Sequence, residues 1–220
     1  MKTLDGFLNR ILCGDCRNIL HEMPERSVDL VVTDPPYLVN YVSRDKRRYA
    51  NDNPHDAAWL LPTMQEIYRV LKDDRYFVCF FGFHKVDRFL AAWRQAGFRT
   101  LEQLVWAKDY PSSVGTVSRW HEAAYVLAKG RPPRPEVVLK SVLEWQYTGN
   151  ELHPSQKPVL AILPLILAYS RAGDVVLDPF AGSGTTAVAA SRAGRQYIGI
   201  ELDSTYARIA TERLKAMRRE

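Results

Sequence analysis

The chain has 220 residues, 46% of them hydrophobic and 25% charged, and its 30 Lys and Arg exceed 25 Asp and Glu by a formal charge of +5. This balance excludes a disordered, collagen-like or membrane-embedded chain, and a chain of this length can bury roughly 70% of the surface it exposes when unfolded. The positive surplus favours a polyanionic partner without naming one.

The hydrophobic period alternates between strand-like and helix-like runs. Residues 28–33 (VDLVVT) form a β-branched, nearly continuous apolar run, the pattern of a strand buried on both faces. Residues 57–71 place Leu60, Leu61, Met64, Ile67, Val70 and Leu71 at helical spacing. A second buried strand is predicted at 76–81 and a helix at 86–96 that stops at Gly97. Two further strands are expected at 101–107 and 123–128. Residues 130–149, rich in Pro and charge and without a period, read as an irregular insert. Then follow a helix at 159–170, a strand at 174–177, a helix at 185–193, a strand at 196–200 and a helix from Ser204. Alternating strands and helices predict a mostly parallel α/β sheet within one domain, residues 1–220.

Residues 175–186 read VVLDPFAGSGTT, a strand followed by a glycine-rich turn and a helix. Gly182-x-Gly184-x-x-Ala187 matches the nucleotide-type fingerprint in its proper context, where absent Cβ atoms let a ligand approach the backbone. The next strand ends on Glu201, a carboxylate placed to accept hydrogen bonds from ribose hydroxyls. Only 19 residues follow Glu201, room for one helix, so N-terminal strands are expected to complete the sheet in a permuted order. That order argues against a nicotinamide dehydrogenase, in which the glycine turn comes early.

The strand VDLVVT runs directly into Asp34-Pro35-Pro36-Tyr37. The two prolines stiffen the turn, which presents a carboxylate, unpaired carbonyls and an aromatic ring at the strand's C-terminal end. An exocyclic amine on a base is a poor nucleophile because its lone pair is delocalised into the ring. Asp34 and the Pro35 carbonyl can each accept one N–H and favour a pyramidal nitrogen, while Tyr37 offers a face for stacking.

TDPPY followed at a distance by DPFAGSGTT resembles the amino-group DNA methyltransferases that use S-adenosyl-L-methionine, in the motif order of their β class. The resemblance implies a doubly wound, mostly parallel seven-stranded sheet with an antiparallel edge hairpin. It implies Asp34, Pro35, Pro36 and Tyr37 as the catalytic motif, and Asp178, Pro179, Phe180, Gly182, Ser183, Gly184, Thr185 and Glu201 around the cofactor. CGDC, residues 13–16, resembles the segment that contacts the cofactor's adenine, with Asp15 and Cys16 as candidates. HPSQKP, residues 153–158, resembles the stretch lining its methionine end, with Ser155 and Lys157 as candidates. The implied reaction is in-line methyl transfer to a base flipped out of duplex DNA, without a metal. DPPY favours adenine N6 over cytosine N4, whose enzymes more often carry Ser at the Asp34 position. A homodimer and a cognate restriction endonuclease are further partners the resemblance allows.

Two basic stretches flank these motifs. Arg44, Lys46, Arg47 and Arg48 follow Tyr37, and Lys129, Arg131, Arg134 and Lys140 mark the insert at about 130–150, the expected target reader. Both are candidates for phosphate contact. Trp145, Gln146 and Tyr147 fit either base contact or packing. Other readings are an RNA or protein-amide methyltransferase, disfavoured by Asp34 and the motif order, and an inactive DNA-binding relative. The N-terminal stretch, broken by Asp5, Asn9 and Arg10, does not read as a signal peptide, and no run of about 18 apolar residues is present. Three cysteines, with one CxxC at Cys13 and Cys16 and Cys79 in an apolar run, point to a reduced cytoplasm rather than a zinc site.

Overall fold

A computed structural model describes residues 2–40, 51–147, 149 and 151–217. Ten strands and six helices are found among them: β1 (Arg10–Cys13), α1 (Cys16–Glu22), β2 (Val28–Thr33), α2 (Leu60–Val70), β3 (Leu71–Phe80), α3 (Val86–Ala96), β4 (Arg99–Ala107), β5 (Ser113–Val114), β6 (Ser118–Arg119), β7 (His121–Lys129), β8 (Val142–Glu144), α4 (Val159–Tyr169), β9 (Val175–Asp178), α5 (Thr185–Arg192), β10 (Gln196–Glu201) and α6 (Ser204–Met217). Eight strands form one sheet in the order β1-β10-β9-β2-β3-β7-β4-β8, and β5 pairs with β6 as a small ribbon. All strands of the large sheet run the same way except β7, which is antiparallel to both β3 and β4.

Both faces of the sheet are covered, as a buried parallel sheet requires. On one side Leu20, Met64, Ile67, Phe89 and Trp93 from α1, α2 and α3 pack over Val31, Phe77 and Leu177. On the other, Ile162, Leu165, Val188 and Leu214 from α4, α5 and α6 cover Leu30, Val32, Val78 and Val176. The fold is therefore the expected doubly wound α/β sheet, with the antiparallel pair β4–β7 on one flank. An eighth strand is added: β8, from the insert read as irregular, pairs in parallel with β4 at that edge. Asp29, buried within β2, ties three strands together by accepting from Lys72 Nζ at 2.8 Å and from the Val175 backbone N–H at 3.1 Å.

The chain moves from β2 outward to β3 on one side, and from β9 outward to β10 on the other. Adjacent strands β2 and β9 thus form the switch point, and in open α/β sheets ligands bind in the crevice outside the carboxyl ends of such a pair. Asp34 follows β2, and Asp178 ends β9.

Candidate active site

Across the carboxyl edge of the sheet lie, in spatial order, Asp15 after β1, Glu201 ending β10, Asp178 ending β9 and Asp34 after β2. Three strand spacings separate the first from the last, about 14 Å. An open cleft of about 450 Å³ lies at this edge, and Asp34, Lys157, Asp178, Gly182, Ser183 and Thr185 are among its walls. The two motifs, about 140 residues apart in the chain, therefore meet in one cavity.

At the Asp34 end the turn is held rigidly. Tyr37 Oη donates to Asp34 Oδ1 at 2.5 Å, and Lys157 Nζ donates to Oδ2 at 2.5 Å. Burial alone disfavours the Lys157 charge, but Asp34 and Glu122 reverse the balance and hold its pKa above the usual lysine value. Burial, with the adjacent Asp34 charge, keeps the Tyr37 phenol protonated far above its ordinary pKa. Gly82, just after β3, admits the Tyr37 side chain: a Cβ there would lie 2.7 Å from Tyr37 Cβ. Tyr37 would have to move, taking its bond to Asp34 with it. Gly82→Ala is therefore expected to lower turnover about a hundredfold through misplacement of the site, with cofactor affinity unchanged. Steady-state kinetics beside a cofactor titration check this, and loss of both together would contradict it.

At the glycine end, Gly182 (φ 51°) and Gly184 (φ 80°) occupy left-handed backbone, and α5 begins immediately after them. Glu201 Oε2 accepts the Gly182 N–H at 2.8 Å, and Oε1 accepts the Asp203 N–H at 2.9 Å, so this carboxylate braces the turn. Thr185 Oγ1 donates to the Lys157 carbonyl at 3.0 Å, linking the turn to HPSQKP. His153 lies against Tyr206, ring centroids 4.3 Å apart, and a Cβ on Gly182 would stand 3.6 Å from its ring. Burial, then the Lys157 charge, pushes His153 down to about 4, so it is neutral at physiological pH.

Asp178 links the two ends. Its Oδ1 accepts Thr33 Oγ1 at 2.6 Å across the switch point and the Phe180 N–H at 3.1 Å. Burial outweighs these bonds and raises its pKa to about 6. A carboxyl whose folded pKa lies above its unfolded value destabilises the fold once ionised. Stability is accordingly lost as pH rises from about 4 to 6, by a total on the order of 3 kcal/mol. In the ligand-free protein, Asp178→Asn should raise the melting temperature by about 5 °C or more at pH 8 and leave it almost unchanged at pH 4. An equal shift at both pH values would contradict this origin.

The remaining sequence candidates fall as follows. Asp15 caps α1, accepting the Arg17 N–H at 2.9 Å and pairing with its guanidinium at 2.5 Å. Cys16 is buried in the core, its thiol pushed up to about 12 by burial and then by Asp15. Ser155 and Phe180 line the cleft, whereas Pro179, Gly184 and Glu201 are not among its walls. Arg44, Lys46, Arg47 and Arg48 lie outside the described residues.

The basic insert begins away from the cleft. Because β7 is antiparallel, the chain leaves it at the edge opposite the cleft, where Arg75 pairs with Lys129 and the Arg131 N–H donates to Asp74. Arg131 and Arg134 thus begin at the far edge, about 27 Å of strand away. Lys129 is buried and donates to the Tyr68 and Leu71 carbonyls, which makes it structural. Lys140 precedes β8, and only after β8 does the insert reach the cleft's edge, at Trp145–Tyr147. Trp145 is packed, its Nε1 donating to Tyr110 Oη at 3.0 Å, whereas Tyr147 is exposed. Sequence reasoning passed over Lys108, paired with Glu122, and a group at the cleft's edge, exposed Phe83, His84 and Trp120 with half-buried Arg119. The charged Glu122 at the entrance to an apolar strand was the one available signal.

A doubly wound sheet with a glycine turn and a proline-stiffened carboxylate at one switch-point cleft defines an S-adenosylmethionine-type α/β methyltransferase. Residues 28–212 match the DNA methylase family model covering N6 and N4 enzymes, and the chain belongs to that family. It is 47% identical over 212 residues to YubD of Escherichia coli (strain K12), a protein named as a methylase, covering 96% of this chain and 92% of that one. It is 27% identical over 255 residues to the type II methyltransferase M.HinfI of Haemophilus influenzae, covering 99% and 71% respectively. The structure is similar to that of TTHA0409 from Thermus thermophilus complexed with S-adenosyl-L-methionine, with a TM-score of 0.73 and 26% identity over 94% of this chain and 93% of that one. The protein is a DNA methyltransferase, and S-adenosyl-L-methionine is its cofactor.

The cleft suits that molecule. Buried Asp178 and half-buried Asp34 would hold its cationic groups, and the opening of α5, with Ser183 and Thr185, would hold its carboxylate. Gly182 leaves room for close approach of the ligand to the backbone. Among the described residues no helix is long and apolar enough to cross a membrane.

Proposed function

We propose that the protein methylates the N6 amine of adenine in duplex DNA after the base has left the helix. The observation that carries this reading is the shared cleft, with the Asp34 carboxylate and the glycine turn among its walls. S-Adenosyl-L-methionine, when bound, supplies an electrophilic methyl group on a sulfonium. This chain's own residues do the positioning. Asp34 and the Pro35 carbonyl accept the two amine N–H groups and orient the nitrogen lone pair, Pro36 stiffens the turn, and Tyr37 stacks on the base. Most of the acceleration comes from that alignment. Phe180, Ser155, Lys157, Ser183 and Thr185 surround the methionine end of the cofactor, while Glu201, Asp15 and the backbone at Cys16 serve its nucleoside.

A paired base cannot reach this cleft, so extrusion is part of the reading. The DNA-facing surface we assign comprises Phe83, His84, Arg119, Trp120 and Tyr147 around the cleft's edge. We take residues 1–220 as one methyltransferase domain, working in a reduced cytoplasm as a homodimer beside a cognate restriction endonuclease, with 130–150 as an insert whose end reads the target. The choice of adenine rests on Asp at position 34. Digestion of treated DNA to nucleosides and mass spectrometry should yield N6-methyladenine; N4-methylcytosine in its absence overturns that choice.

A further inference from the structure

Helix α6 lies directly against the glycine turn. A Cβ on Gly184 would stand 2.9 Å from Ala210 Cβ, so the bare backbone at 184 is what lets the helix come this close. Arg213, three residues on from Ala210, lies on the same side of α6 and reaches the turn. Its Nη1 donates to the Ser183 carbonyl at 3.1 Å and to Thr185 Oγ1 at 3.2 Å. Thr185 Oγ1 donates in turn to the Lys157 carbonyl. One guanidinium thus ties together the turn, the first residue of α5 and the HPSQKP segment.

Bracing a turn needs hydrogen bonds but no charge, and this charge sits where the fold opposes it. The opening of α5 is the positive end of a helix dipole. Arg213 is half-buried, and among the described residues no carboxylate pairs with it. Burial, then the charge of Arg192, lowers its pKa, yet a guanidinium stays protonated. Two positive sources without an anion between them are a cost to the free protein that a bound anion relieves. Ser183 and Thr185 stand in the cleft wall, and Arg213 is bonded to both without being part of that wall. An anion held at Thr185 would lie about 6 Å from the guanidinium, two hydrogen-bond lengths, where a poorly solvated pair still attracts strongly.

We propose that Arg213 is the cationic backing for the carboxylate of S-adenosyl-L-methionine, and so a determinant of affinity for the amino-acid end of the cofactor. The inference rests on the placement of that end beside Ser183 and Thr185, and adds to it a charge from outside the cleft and outside both motifs. Arg213 engages the Ser183 carbonyl, which would otherwise repel a carboxylate, and answers the carboxylate's charge from behind Thr185.

Calorimetric titration of the wild type, Arg213→Gln and Arg213→Lys with S-adenosyl-L-methionine and with its decarboxylated form tests this. A cooperative melt confirms that each variant is folded, and Arg213→Met takes the place of Arg213→Gln should the latter not fold. Arg213→Gln should weaken S-adenosyl-L-methionine about tenfold and leave the decarboxylated form within about twofold, because only the former carries the group the charge acts on. Arg213→Lys, which keeps the charge, should recover most of the loss. An equal loss for both ligands, or wild-type affinity in Arg213→Gln, overturns the proposal and leaves the cofactor's seat standing. A wild type that binds the two ligands equally overturns that placement and this proposal together.

Discussion

Asp34→Ala should reduce methyl transfer at least about a thousandfold while the dissociation constant for S-adenosyl-L-methionine stays within about threefold. The asymmetry follows from the sheet. Asp34 follows β2 and the glycine turn follows β9, so the two carry different halves of the cleft. Removing the carboxylate leaves Asp178, Glu201 and the turn as they are, with their own bonds to Thr33, Phe180 and Gly182. What is lost is the acceptor that orients the amine, together with the anchor of Tyr37 and Lys157. Scintillation counting of transferred methyl groups beside calorimetric cofactor binding checks both halves. Turnover within tenfold of the wild type would remove Asp34 from the chemistry.

Gly184→Ala is expected to strike the other half. Position 184 has φ 80°, and a Cβ there would stand 2.9 Å from Ala210 Cβ on α6, a contact with no flexible end to yield. Left-handed strain costs about 1–2 kcal/mol and forced overpacking about 1–3 kcal/mol more. The relief available is for α6 and the turn to separate, which displaces Gly182 and Ser183 from the cleft. Cofactor affinity should fall tenfold or more and the melting temperature by about 5 °C or more. A variant that melts and binds as the wild type does would show that the turn tolerates a side chain.

Local chemistry made much of this fold legible before any coordinates. β2 begins and ends where the run VDLVVT does, because a strand covered on both faces is apolar along nearly all its length, with Asp29 satisfied by Lys72 and the Val175 N–H. α3 stops at Gly97, whose φ of 103° suits glycine. DPPY and the glycine turn stand at strand ends because a stiff carboxylate and a Cβ-free turn both belong at a ligand crevice. Short edge elements were not legible: β1 has four residues with Arg10 among them, and β8 has three inside a proline-rich run. Strand direction was legible only through the resemblance, which implied an antiparallel hairpin. Periodicity finds β7 but not its antiparallel course, and that course alone carries Arg131 and Arg134 away from the cleft. Nothing in the sequence couples Glu122 to Lys108, and only the pairing of β4 with β7 brings them together.

Methyl donor and target amine are expected to meet where the β2 and β9 turns share a cleft. A crystal structure of the protein with S-adenosyl-L-methionine tests it most directly. The sulfonium methyl carbon should lie within about 6 Å of an Asp34 carboxylate oxygen, the span of one oriented amine between them. A cofactor whose methyl group faces away from Asp34, or one seated outside the wall formed by Gly182 and Ser183, would contradict it.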